Sequence, residues 1–190
     1  MGSFGKSLLS RLTAEYRINW IFASSFGREA VAGSVVALQP SDGWIEALAS
    51  SPTEQVRKSA EYARCGMNGY VMVEQDRPVC VAHFAEPDEY ERASTWPIKD
   101  GEAALMDIAT EQAERGRGLA VDMIRATSGV YEAKGHKRLL AFIWWSNKPS
   151  VKAFSKAGWR RIGLALEMRV SQHWLVLHIP FESLSSFSGL

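Results

Sequence analysis

Apolar positions along this chain repeat at two periods, and the switching between them outlines most of its elements. Residues 16–22 alternate imperfectly at period two and predict a first strand. Between 24 and 40 the pattern is ambiguous, although Val35-Val36-Ala37-Leu38 can extend a strand, and Ser41-Asp42 can cap a short helix through Leu48. Ser51-Pro52-Thr53-Glu54 has the form of a capping box, with an N-cap serine, proline at the first helical position and glutamate at the third. The helix it opens is expected to run to Arg64 or Cys65 and stop at Gly66. Residues 70–73 and 78–84 then flank the polar turn Gln75-Asp76-Arg77 as a hairpin. Residues 86–100, with Pro87 and Pro97, read as an exposed loop that overhangs whatever site lies beneath.

The second half is more regular. Residues 102–110 read as a strand, and Leu119, Ala120, Met123, Ile124, Thr127 and Tyr131 mark a helix over 117–134 that ends near Gly135. A buried strand at 138–145, a helix at 149–157 stopped by Gly158, and an antiparallel pair at 159–170 and 173–179 complete the order. Strands and helices interleave, so the class is α/β. At 190 residues with 46% hydrophobic content, one domain with a substantial core is expected. It should span 16–184, preceded by residues 1–15, where Leu8, Leu9 and Leu12 with Lys6 and Arg11 suggest a short amphipathic helical segment.

Charge and cysteine usage narrow the partners. A net charge of +1 indicates no general attraction to nucleic acid or an anionic membrane. No apolar run reaches membrane-spanning length, no signal peptide is evident, and Lys6 occupies the Ser/Thr slot of the myristoylation pattern. Cys65 and Cys80 lack metal or disulfide-framework spacing and read as two free thiols of a cytoplasmic protein. No metal site is expected.

The candidate chemistry centres on Glu111-Gln112-Ala113-Glu114-Arg115-Gly116-Arg117-Gly118-Leu119-Ala120. A strand feeds a Gly-x-Gly turn that opens a helix, which gathers backbone N–H groups and a positive helix end at one spot suited to phosphate. A dinucleotide fingerprint requires a small residue where Val121 stands, and a P-loop requires Lys-Ser or Lys-Thr where Leu119-Ala120 stand. Neither fits.

Downstream, Asn147, Ser150, Phe154, Gly158 and Trp159 closely resemble the N-x-x-[AS]-x-x-x-[YF]-x-x-x-G-[FW] signature of the GNAT superfamily of acyl-CoA-dependent N-acyltransferases. The loop resembles that family's [QR]-x-x-G-x-[GA] element, with Ala113 in place of Gln or Arg. The resemblance covers most of the chain and is specific over residues 102–160. It implies a single-domain GNAT fold, a mixed central sheet of about six to seven strands flanked by helices. It also implies acetyl-CoA as acyl donor, with the Ile108-Ala109-Thr110 backbone holding the pantetheine arm. Arg115, Gly116, Arg117, Gly118, Leu119 and Ala120 would bind the pyrophosphate, and Asn147 and Phe154 would lie by the thiol end. Asn147 equally suits a helix cap, and the two arginines equally suit simple solvation.

Attack of an amine on a thioester needs a base, because an alkylamine is mostly protonated at neutral pH. Glu102, near the start of its strand, stands where many family members place a carboxylate, and Asp107 is the other acidic residue there. Period-two alternation without a bulge puts them on opposite faces. Glu102 is favoured, as a strand-end carboxylate that stays wet; His83 is a further base, though a histidine in an apolar strand more often serves packing. Phe154 stands where many members carry a tyrosine that protonates the leaving thiolate, and phenylalanine cannot. The tryptophans of the C-terminal sheet region, Trp144 and Trp145 among them, read as core, while Trp44 and Trp96 border the acceptor side.

Two functions follow from the resemblance. The first is transfer of an acetyl group to a primary amine, on a small molecule or a protein, by direct attack in a ternary complex. The second is a CoA-binding regulatory module without turnover, for which Phe154 and Ala113 argue. Longer acyl chains and a homodimer stay open.

Overall fold

The computed structural model describes residues 15–24, 26, 35–41, 43–90, 97–170 and 173–181. The expected N-terminal segment, all but its last residue, and Trp96 lie outside the described residues. Eight strands form one mixed sheet: β1 Glu15–Ala23, β2 Val35–Ala37, β3 Asn68–Glu74, β4 Arg77–Ala85, β5 Glu102–Thr110, β6 Arg138–Trp144, β7 Arg160–Val170 and β8 His173–Pro180. Their spatial order is β2-β3-β4-β5-β6-β1-β7-β8. The helices are α1 Gly43–Ala49, α2 Glu54–Arg64, α3 Pro87–Tyr90, α4 Leu119–Ala133 and α5 Lys148–Lys156. None is long and apolar enough to cross a membrane.

Local sequence explains most boundaries. The β3–β4 hairpin closes through Gln75 and Asp76, both at positive φ, as a tight turn between right-twisted strands requires. Helix α2 stops at Cys65, followed by Gly66 at φ +86°. Helix α5 is capped by Asn147, whose Oδ1 accepts from the Ser150 N–H at 3.2 Å.

The two faces of the sheet carry separate cores. Met123, Ile124 and Tyr131 of α4, with Phe154 of α5, pack on Phe22, Phe84, Leu105 and Leu139. On the other face Leu48 of α1 and Val56 and Ala60 of α2 cover Val81 and Ala109, and Tyr90 and Ile98 pack on Ala104 and Leu140. Each large side chain buried this way contributes roughly 1.5–3 kcal/mol of transfer free energy.

The mixed α/β sheet is the expected one, with eight strands among the described residues and β1 running antiparallel between β6 and β7 in its interior. Three expectations change. The capping box does not form: α2 begins after Thr53, which makes no side-chain cap. The Ser51 and Thr53 hydroxyls instead both bond the Glu111 carboxylate, and Thr53 Oγ1 accepts from the Gln112 N–H at 3.0 Å. The segment after Glu86 is not wholly exposed, because Tyr90 and Ile98 anchor it in the core. Finally, Trp144 and Trp145 are not core: they are 40% and 48% exposed.

Candidate active site

The pairing of β5 decides the geometry. It lies parallel to β6 only from Glu102↔Arg138 to Leu105↔Ala141. Beyond that point β5 stays with β4 through Thr110, while residues 142–144 of β6 pair with β1. The two central parallel strands thus separate midway, and a gap opens between them on the side that leads to the Gly-x-Gly loop.

Backbone phase shows which groups face this gap. The Glu111 N–H donates to the Val79 carbonyl at 3.0 Å. Register is regular from Cys80↔Thr110 to His83↔Asp107, so the backbone groups of Asp107 and Ala109 also turn toward β4. Ile108 and Thr110 turn theirs to the opposite edge, where β6 has departed. Neither has a β6 partner, and the Thr110 carbonyl accepts from Arg115 Nε at 3.4 Å, a contact that an extended ligand pairing here would displace.

At the end of β5 a 3₁₀ turn, Gln112–Glu114, leads into the loop. Clamping of Glu111 by Ser51 and Thr53 fixes where this turn leaves the sheet. Gly116 and Gly118 adopt φ of +86° and +91°, and a Cβ built on either meets nothing within 4 Å. The left-handed backbone favours glycine at both positions, and the space in front of them is open. The first turn of α4 is closed by Val121 and Asp122 N–H groups bonding the Gly118 carbonyl. The N–H groups of 116–120 make no hydrogen bond among the described residues, and five donors converge at a helix N-terminus. Arg117 does not add free charge, since it pairs with Glu74 and Glu114, whose hydrogen bonds raise its pKa. Arg115 is exposed, with Nε 3.4 Å from the Thr110 carbonyl.

The carboxylates differ sharply. Glu102 is 5% exposed, accepts the Arg138 Nε–H at 2.6 Å and the Lys99 N–H at 2.9 Å, and lies at the closed end of the β5–β6 pairing. It is not the wet strand end that sequence suggested. Asp107 lies beyond the point of separation. The pairs Ala85↔Ala104, Phe84↔Leu105 and His83↔Asp107 leave Met106 as an extra residue, a β-bulge. The bulge resets the alternation, so Asp107 shares the face of Ala104, the face covered by α2. The expectation of opposite faces for Glu102 and Asp107 therefore fails, for want of the bulge. The Ser59 hydroxyl of α2 donates to Asp107 Oδ2 at 3.1 Å. Burial raises the Asp107 pKa, and the hydrogen bonds from Ser59 and the Ile108 N–H lower it only in part.

His83 is fully buried beside Asp107 in the ladder, and neither ring nitrogen has a hydrogen-bond partner among the described residues. Its ring meets Tyr62 edge-on at 5.6 Å, and burial pushes its pKa down to about 4. Gly69 makes room for it, since a Cβ there would stand 3.0 Å from Nε2. Cys80 is buried against Thr110 and pushed up to about 11, so it carries no thiolate at neutral pH. Asn147 caps α5, and Phe154 is 2% exposed, packed on Phe22 and Trp159 at 5.8 and 5.0 Å. Sequence reasoning missed Ser59, the bulge and the exposure of Trp144. The first and last leave a signal only as a polar residue on the α2 inner face and an aromatic pair at a strand end.

No family model and no curated protein matches this sequence. Solved structures match in fold. An acetyltransferase of the GNAT family from Colwellia psychrerythraea is similar over 95% of this chain and 62% of its own, at 11% identity and a TM-score of 0.59. A GNAT-family protein from Novosphingobium aromaticivorans is similar over 81% of this chain and 64% of its own, at 20% identity and a TM-score of 0.56. An aminoglycoside N-acetyltransferase in complex with CoA is similar over 67% of this chain and 92% of its own, at 14% identity and a TM-score of 0.50. The chain thus spans 62–64% of the length of the first two. This is the GNAT fold, with the mixed sheet that the resemblance implies.

Proposed function

We propose that this chain, built on the GNAT fold, is an acyl-CoA-dependent N-acyltransferase that moves an acetyl group from acetyl-CoA to a primary amine. The observation that carries this reading is the separation of β5 from β6 beyond Leu105↔Ala141, directly upstream of a glycine loop with unpaired N–H groups. An extended arm carrying two amides can pair with Ile108 and Thr110 as a short extra strand, and its pyrophosphate fits the N–H groups of 116–120. The residues present therefore suit the donor. Two unbridged thiols, Cys65 and Cys80, fit a reducing, cytoplasmic setting.

Asp107 is the base in this reading, because Glu102 is committed to Arg138. Its raised pKa brings the carboxylate closer to working pH, which strengthens it as a proton acceptor. An incoming alkylammonium gives one proton to Asp107, and the neutral amine nitrogen attacks the thioester carbonyl carbon. The C–N bond forms and the C–S bond breaks; the proton that the new amide nitrogen sheds passes through water to the leaving thiolate, and Asp107 returns its own proton to solvent. A thiol of pKa near 8.5 leaves tolerably without a dedicated acid, so buried Phe154 need not supply one. Donor binding supplies the activated acyl group; the chain supplies position and proton transfer.

The test is calorimetry with CoA. Gly118→Val puts a side chain in the open space before the loop and costs the free protein only backbone strain, about 1–2 kcal/mol. Affinity should fall tenfold or more in a variant that still folds. Unchanged affinity in a folded Gly118→Val protein would remove the loop from the site.

A further inference from the structure

One bank of the gap between β5 and β6 carries an exposed tryptophan, and the helix that covers the Asp107 face on the other side carries an exposed tyrosine. On β6, Phe142 and Trp144 share the face of Leu140, which pairs with Ala104 of β5. The Met106 bulge puts Asp107 on that same face. Trp144 therefore stands across the gap from Asp107, beyond the last paired residues, and is 40% exposed. On the near bank Ser59 of α2 holds Asp107, and Tyr62, one helical turn along, lies over His83 and is also 40% exposed. Met106 itself is 36% exposed at the point where the strands part. Large apolar side chains left this open around a single carboxylate are unusual unless something covers them.

The geometry points to an acceptor subsite for a primary amine with an aromatic or otherwise apolar body, held between Trp144 and Tyr62 with its ammonium at Asp107. This rests on the acyltransferase reading and names its substrate class. An ammonium is attracted both to the carboxylate and to the aromatic faces, and the apolar body gains by covering them. A hydroxylated amine would keep the attraction of its ammonium but lose the apolar gain, and an anionic acceptor would be repelled by the carboxylate. The same arrangement serves the chemistry, since the group that attracts the cation is the one that removes its proton.

Calorimetry on the CoA-saturated protein tests the subsite without relying on turnover. Two probes of similar basicity, 2-phenylethylamine and ethanolamine, separate body from amine. We expect 2-phenylethylamine to bind at least tenfold more tightly than ethanolamine. Trp144→Ala and Tyr62→Ala should each remove about tenfold of that affinity while CoA affinity stays within twofold. Trp144→Phe should keep most of it, which guards against a folding defect in the alanine variant. Normal CoA binding with equal affinity for the two amines, or with alanine variants as good as wild type, would overturn the subsite and leave the acyltransferase reading standing. Failure of the wild type to bind CoA would overturn both.

Discussion

Asp107 and Glu102 stand on one strand, and their surroundings give them opposite chemistry. Glu102 has two donors, Arg138 and the Lys99 N–H, and no access to the gap. Asp107 also takes hydrogen bonds, from the Ser59 hydroxyl and the Ile108 N–H, but its burial outweighs them and resists its charge. Kinetics should separate them. Asp107→Asn is expected to lower kcat by about a hundredfold, the usual scale for a lost general base, with CoA affinity nearly unchanged. Because burial raises the Asp107 pKa, the wild-type rate should fall on acidification at a higher pH than an ordinary carboxylate would give, and the variant should lose that limb. Glu102→Gln should keep kcat within a few-fold and cost stability instead, roughly 1–2 kcal/mol once the partial exposure of Arg138 is allowed for. Loss of turnover in Glu102→Gln with Asp107→Asn active would return the base to Glu102.

At the scale of elements, what was legible and what was not divide along the range of the interactions involved. Helix α4, the loop before it and the β3–β4 hairpin were readable because periodicity, Gly116, Gly118 and the Gln75-Asp76 turn act within a few residues. The Asn147 cap was readable for the same reason. The Met106 bulge was not, because it arises where β4 and β5 fall out of step, and the run Ala103-Ala104-Leu105-Met106 carries no glycine or proline to announce it. That one residue moved Asp107 to the other face and so changed the choice of base. The Ser51-Pro52-Thr53-Glu54 capping box misled in the opposite way. The pattern marks Ser51 as a local cap, but a distant carboxylate, Glu111, takes bonds from both the Ser51 and Thr53 hydroxyls and ties α2 to the exit of β5. Strand separation after Leu105 is likewise invisible locally. It shows only in the long-range register: β6 keeps β1 on its other edge through Trp144 while its pairing with β5 stops at Ala141.

Over the whole molecule, the interior place of β1 makes the sheet continuous from β2 to β8, so the two banks of the gap belong to one cooperative unit. Its weak point toward acid is His83. The unfolded chain binds a proton at the ordinary histidine value of about 6.5, whereas the folded chain resists it down to about 4. The unfolded state therefore binds more protons between those values, and stability falls as pH drops through that window. Urea unfolding should show about 2 kcal/mol less stability at pH 5 than at pH 7.5 from this residue alone. His83→Phe should flatten the dependence by that amount; an equally steep variant would place the acid sensitivity elsewhere. Asp107, with its pKa raised, works in the opposite sense and gains rather than loses on protonation. The site and the fold thus share one buried cluster, in which His83 supports the strand ladder that positions Asp107. Release of free CoA thiol from acetyl-CoA by the wild-type protein, with and without 2-phenylethylamine, tests most directly whether this cluster serves acyl transfer. If that is its role, thiol release is saturable, depends on the amine and accumulates the N-acetylated product in equal amount. Tight CoA binding with no amine-dependent release across a panel of primary amines would contradict it, and would make the chain a CoA-binding module that has lost turnover.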